Sequence, residues 1–257
     1  MRDLKTGESD PVNVYVSPAV SPEPKRARSD RQLPPGRHGL ERSFVVTNQR
    51  ERMLDAVADV VSLSGYADMR VEDIIATAGV SRRTFCDDFP NKEDAFLAAY
   101  DAIVSRLLQQ MGEAYDRDPT FVGKVINCLT TFLEFVASEP AFADMCIVEV
   151  MAAGPKAIER RNIAMKAIGA LIQTAANYDL PKQPPALTAE TIVGGIYEVV
   201  YSRILQGETH LLGDLVPELA YSIMLPYIGH DAAVAEMRKL EKQRNRKSSA
   251  EPEQPAA

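Results

Sequence analysis

Residues 79–92 hold the side chains whose types and spacing point to chemistry. Gly79-Val80-Ser81 is followed by Arg82-Arg83-Thr84 and, further on, by Cys86 and Lys92. Two neighbouring guanidinium groups flanked by two hydroxyls form a set of hydrogen-bond donors suited to base edges and phosphate oxygens. Lys92 follows Asn91, a good N-cap, with Asp94 three residues further on, so it opens a helix in a capping-box-like start. A cation beside unpaired helix N–H groups makes an anion site, and a nucleic-acid phosphate is the anion that fits. Arg37 and Arg42 lie a few residues ahead of the first helical stretch and extend the set as a basic arm. Nothing comparable is arranged for covalent or metal chemistry. Cys86, Cys128 and Cys146 are widely spaced, no Cys/His pair has zinc-ligand spacing, and no glycine-rich phosphate loop or nucleophile elbow occurs. The expectation is no metal, no cofactor and no enzymatic activity.

Such donors need a scaffold that presents a short helix. Leu54, Val57, Ala58 and Val61 fall at i, i+3, i+4 and i+7, which predicts a helix over about 48–64, ended by Gly65. Val71, Ile74, Ile75 and Ala78 repeat the spacing over about 71–78. Gly79 suits the positive φ of a sharp turn, Val80 plugs the angle between helices, and Ser81 N-caps a third helix over about 82–88. Phe85 and Phe89 give that helix one buried face, and Pro90 stops it. A short helix, a turn with glycine and a second short helix describe a helix-turn-helix. Its outward face, Arg82, Arg83, Cys86 and Asp87, is the face that reaches base edges in a major groove. Asp87 lies four residues after Arg83 and can pair with it along the helix.

The rest of the chain continues in helical periodicity, so the fold class expected is all-α with about nine to ten helices. A fourth helix spans about 91–111, and a fifth opens at Asp118-Pro119 with Asp as N-cap and Pro at the first turn. Further helices are expected at about 141–152, 156–177, 189–206, 214–228 and 229–247. Residues 1–43 are rich in proline, serine and charge and read as a disordered extension with the basic arm. The division expected is that extension, a helix-turn-helix domain over 44–92, a helical body over 93–230 and a basic helix or tail over 231–257. No apolar run approaches the ~18 residues of a membrane span. The sparse cysteines fit a reducing, cytoplasmic setting.

Residues 50–66 (RERMLDAVADVVSLSGY), 71–85 (VEDIIATAGVSRRTF) and 89–96 (FPNKEDAF) resemble the DNA-binding domain of TetR-family transcriptional regulators. The resemblance implies that Ser81, Arg82, Arg83, Thr84 and Cys86 lie along the recognition helix and that Lys92 contacts phosphate. Cys86 stands where the family usually has a tyrosine packed on the DNA backbone, and Asp87 and Asp88 stand where basic or polar residues are common. The resemblance also implies a helical regulatory domain that dimerises and takes a small ligand. Tyr100, Phe121, Leu129, Met145, Met165, Tyr197 and Tyr201 are the pocket candidates, for a mostly apolar ligand with a few polar handles. Glu198 and Arg203 are possible handles or a salt bridge. Gly194, Gly195, Tyr221 and Met224 are the candidates for a homodimer interface.

Charge sharpens the reading. The net charge is −7, which argues against a simple nucleic-acid binder. Residues 25–52, however, hold eight bases against three acids, and 236–247 hold six against two. Residues 44–92 hold six bases against eight acids, so the folded reading head is itself slightly acidic. The function expected is a ligand-responsive homodimeric repressor on a palindromic double-stranded DNA operator, dependent on its basic flanks for affinity. The alternative is a helical sensor or partner-binding dimer whose DNA reading is weakened or vestigial.

Overall fold

A computed structural model describes residues 42–248, with side chains from 47 to 246, as ten α-helices and, among these residues, no strand. The all-α expectation holds. The head is α1 (Arg42–Asp68), α2 (Val71–Ala78) and α3 (Arg82–Asp88). Then come α4 (Lys92–Tyr115), α5 (Phe121–Ser138) and the short α6 (Pro140–Ala143). A π turn (Asp144–Val148) and a 3-10 turn (Glu149–Met151) lead into α7 (Pro155–Asp179) and α8 (Leu187–Leu205). A 3-10 segment (Thr209–Leu215), α9 (Val216–Ile228) and α10 (His230–Ser248) complete it. Arg37 lies outside the described residues; Arg42 opens α1, and its side chain lies outside them.

Helices α2 and α3 have the bounds that their spacing predicts. Helix α1 starts six residues earlier than the apolar stripe suggests. Gly65 takes the expected positive φ (73°), but with ψ 164° it kinks the chain instead of ending it, and helix resumes to Asp68. Helix α5 begins two residues later than expected. Asp118 is not its N-cap: the Asp118 carboxylate folds back on the Thr120 N–H and hydroxyl, and Thr120 caps by accepting from the Gly123 N–H at 3.1 Å. The sixth helix is short because the chain converts after one turn to a π turn, a geometry common at functional sites.

Packing divides into two cores. One joins the head to α4, with Met53, Val57, Ile74, Phe85, Phe89 and Phe96 at its centre, and continues into Met145 and Val150 beyond α6. Each such side chain contributes about 1.5–3 kcal/mol of burial. The head is therefore not separated from the body at residue 92, since α4 belongs to both. The second core joins α5, α7, α8 and α9 through Leu133, Ile172, Val200, Leu212, Ile223 and Met224. Helix α10 packs onto α9 with Ala233 buried and Leu240 half-buried. Phe121–Ser138 and Thr209–Ile228 are each long and apolar enough by composition to cross a bilayer; here both contribute to the second core.

Candidate nucleic-acid interface and cavity

The turn between α2 and α3 follows from three residues. Gly79 is left-handed (φ 63°, ψ 40°), and its N–H caps α2 at Ile75 O. Ser81 is extended, and its hydroxyl accepts from the Thr84 N–H at 3.1 Å. Phe85 is fully buried and leans on Phe89 with ring centroids 5.5 Å apart. That seating leaves Arg82, Arg83, Cys86 and Asp87 exposed.

Most of the cations in the head are already engaged. Arg82 pairs with Glu72 of α2 and, with the local backbone, holds that carboxyl below its ordinary value. Arg52 donates to Ala78 O and to Gly79 O (3.1 Å), closing the carbonyl end of α2. Arg50 lies 3.6 Å from Asp88 and stacks over Phe89. Lys92 donates to Tyr66 O (3.1 Å), Ala67 O (3.1 Å) and Met69 O (3.0 Å). All three ammonium hydrogens of Lys92 thus cap the end of α1. Arg83 makes no ion pair among the described residues, and the Arg83–Asp87 pair that the sequence permits does not form.

The end of α1 is held from a second side. The Tyr66 N–H donates to Glu149 Oε2 at 2.7 Å, and the Ser62 hydroxyl donates to Asp144 Oδ2 at 2.8 Å. Glu149 can approach because Gly65 has no Cβ; one placed there would lie 3.3 Å from Oε2. Burial, with the Glu149 charge nearby, raises the Asp144 carboxyl above its ordinary value despite the Ser62 bond.

The same π turn forms a wall of a cavity between α4, α5, α7 and α8. The cavity measures about 120 Å³ as space open to the centre of a water molecule. One water needs roughly 10–15 Å³ on that measure, so the space is ligand-sized. Along α4 the lining runs from Tyr100 through Leu107 and Met111 to Tyr115, about 22 Å of helix at ~1.5 Å per residue. Cys128 and Cys146 line it as neutral thiols, pushed up by burial to about 11 and about 12. Arg161 and Lys124 are its charged members.

Comparison with known proteins agrees with this layout. Residues 53–99 match the family described as bacterial regulatory proteins, tetR family. The match covers the helix-turn-helix head and the first turns of α4. The HTH-type transcriptional regulator RutR of Escherichia coli (strain K12) is 25% identical over 128 residues, covering 50% of this chain. The match spans 60% of the length of RutR. Among solved structures, the fatty acid degradation regulator FadR from Bacillus halodurans superposes with a TM-score of 0.62 at 18% identity, over 68% of this chain and 94% of that one. The transcriptional regulator FadR from Bacillus subtilis, in complex with stearoyl-CoA, gives 0.61 at 18% identity, over 70% and 98%. At these identities the likeness is one of fold.

Of the pocket candidates, Tyr100, Leu129, Met165 and Tyr197 line the cavity, and three do not. Phe121 is fully buried at the start of α5, packed on Tyr227. Met145 turns into the first core. Tyr201 stacks beside Tyr197, one turn further along α8. Sequence reasoning missed Arg161, although its register was visible: it lies four residues after Ala157, seven before Ile168 and within the apolar stripe of α7. Of the interface candidates, Gly194 and Gly195 are exposed, with open space where a Cβ would lie. Tyr221 is half-buried, and its hydroxyl meets His230 Nδ1 at 3.1 Å. Met224 is fully buried in the second core of its own chain, so it is not a surface residue. Arg203 pairs with Glu208 at 2.5 Å and not with Glu198, which is exposed.

Proposed function

We propose that the chain is a cytoplasmic, ligand-responsive transcriptional repressor that binds a palindromic operator as a homodimer. The observation that carries the reading is Arg83: a guanidinium donor exposed at the start of a firmly seated α3, with no ion pair among the described residues. Beside it, Arg82, Ser81 and Thr84 form the rest of the contact face, and Cys86 lies one turn on. Arg37 and Arg42 supply the arm that follows the phosphate backbone. The bonds of Lys92 assign it to holding α1 against α4, with phosphate contact only at the expense of that cap.

Dimerisation is proposed through α8 and α9. Leu187, Gly194, Gly195, Val199 and Leu205 form one exposed stripe on α8, and Leu225 is exposed on α9. A smooth glycine strip edged by aliphatic groups suits close helix contact, and two copies of α3 about one DNA turn apart would read a palindrome. The ligand class proposed is a small, mostly apolar molecule with a linear chain. The length of the cavity along α4 supports this, as does the stearoyl-CoA held by FadR from Bacillus subtilis. Ligand occupancy would move the π turn and the 3-10 turn after it, whose Asp144 and Glu149 grip α1. By linkage, operator DNA must then weaken ligand binding by the same factor.

Fluorescence anisotropy against DNA flanking its own gene tests the reading. Sequence-specific binding at moderate salt, lost when the ligand is added, is the expected result. Absence of specific binding overturns it. The engaged cations favour one other reading, a helical sensor with residual DNA contact. In that case Asp87→Asn and Asp88→Asn would leave every cellular output unchanged.

A further inference from the structure

Arg161 does not fit the chemistry of the cavity it lines. The acidic hydroxyls and thiols of the lining are held neutral: burial raises the Tyr100 and Tyr197 hydroxyls and the Cys128 and Cys146 thiols. A guanidinium cannot escape its environment that way, because it stays protonated at any accessible pH. A half-buried cation among apolar groups is unfavourable unless an anion or several acceptors face it.

The acceptors present are few. Arg161 Nη1 donates to the neighbouring Asn162 Oδ1 at 3.0 Å. Nε is buried and has no hydrogen-bond partner. Among the described residues no carboxylate pairs with Arg161; the adjacent Arg160 takes Asp101 instead. The guanidinium rests 3.9 Å from the centroid of the Tyr197 ring, and Tyr197 is pinned by its hydroxyl donating to Ile147 O at 2.5 Å. The group is therefore held in place without being neutralised. Lys124, the other cation of the lining, differs. Its ammonium donates to Tyr115 O at 3.3 Å, covers the Tyr115 ring and has the Asp118 charge nearby. Arg161 acts on Tyr100 and Lys124 sits on Tyr115, so the two mark opposite ends of the lining along α4.

We infer that the cavity takes an amphipathic ligand whose anionic oxygen head group docks on Arg161 and whose unbranched apolar tail runs along α4 toward Tyr115. This rests on the reading of the cavity as a ligand site. A carboxylate or a phosphate ester supplies the same chemistry, two acceptor oxygens for the guanidinium fork. The head group would also touch the device that couples the cavity to the head, since Tyr197 links Arg161 to the π turn.

Calorimetric titration of the full chain with dodecanoate, dodecyl phosphate and dodecanol separates the possibilities. The tails are identical, so differences report the head group. Dodecanoate or dodecyl phosphate should bind on the order of tenfold to a hundredfold more tightly than dodecanol, the range of one charged hydrogen-bonded contact. Whichever anion binds more tightly identifies the source. Arg161→Leu should abolish that gap while keeping or raising dodecanol affinity, and Arg161→Lys should retain part of it. Equal binding of alcohol and anions by the parent chain overturns the anchor and leaves the cavity reading standing. So does a gap that survives Arg161→Leu. Binding of none of the three removes both the anchor and the cavity reading.

Discussion

The head and the cavity treat their cations in opposite ways. In the head, Arg50, Arg52, Arg82 and Lys92 each have an internal partner, and two of them bond backbone carbonyls at helix ends. In the cavity, Arg161 stacks on an aromatic ring and, among the described residues, pairs with no carboxylate. Cations of the head thus serve mainly to hold its helices in register, and under the proposed function DNA would draw its contacts from what is left, Arg83 above all. The cation of the cavity makes only a bond to its neighbour Asn162 and a contact with Tyr197, and under the inference above it receives an incoming anion. A charge count of the sequence does not distinguish the two, because it is the internal partner that decides which cation is structural.

The comparison breaks first if the head is held by charge instead of packing. Phe85→Ala empties the space beneath α3, and loss of such a ring costs about 3–5 kcal/mol. Urea unfolding should show that loss for the whole cooperative unit, because the first core is continuous with α4. A loss below about 1 kcal/mol would mean that the ion pairs carry the head. Lys92→Met is the next largest. It leaves three carbonyls without their donor, a loss of about 1–3 kcal/mol. If capping is its role, the salt dependence of DNA binding stays the same. If Lys92 is a phosphate contact, the slope of log affinity against log salt falls by about 0.9.

Smaller effects separate the two arginines of α3. Arg83→Ala should lower operator affinity by roughly tenfold, the low end for one lost bidentate base contact, whereas Arg82→Ala should do less because Arg82 must first leave Glu72. Glu72→Gln frees Arg82 and should tighten binding. Anisotropy titrations at two salt concentrations read all three. Equal losses from Arg82→Ala and Arg83→Ala would show that the pairing with Glu72 does not persist on DNA.

What was legible in the sequence was local. The bounds of α2 and α3 follow from Gly79, Ser81 and two phenylalanines four apart, all within one turn of the residues they position. Tyr100, Leu129, Met165 and Tyr197 could be placed at the cavity because their helices carry one apolar stripe each. The same periodicity cannot tell cavity from core, so the cavity candidates Phe121 and Met145 lie in the cores, where a buried residue and a lining residue occupy the same register; Met224, an interface candidate, is buried within its own chain. The carbonyl bonds of Lys92 are not legible in the sequence for a different reason. Its three acceptors lie 23–26 residues away, and only the kink at Gly65 brings them to it. Arg161 was hidden in the polar run Glu159–Asn162, where three of four residues face outward or pair with other groups.

The smallest prediction concerns the joint between the two regions. Asp144 is half-buried and accepts from the Ser62 hydroxyl, and its carboxyl is raised above the ordinary aspartate value, chiefly by partial burial. Between the unfolded value, about 3.9, and the raised folded value, the folded chain binds more protons than the unfolded one. Asp144 therefore lowers stability as pH rises through that window, and the penalty is complete once the folded carboxyl has ionised. Asp144→Asn keeps an acceptor for the Ser62 hydroxyl and removes the charge. Its melting temperature relative to the parent should climb as pH rises through the carboxylate range and then level off near neutrality. Melting curves that run parallel from pH 3 to 7 would mean that the carboxylate is solvated and exerts no strain on the joint. If the offset appears, the carboxylate that grips α1 is held there against its own solvation. Under the proposed coupling, a displacement of the π turn by ligand would then release it to water and relieve that cost.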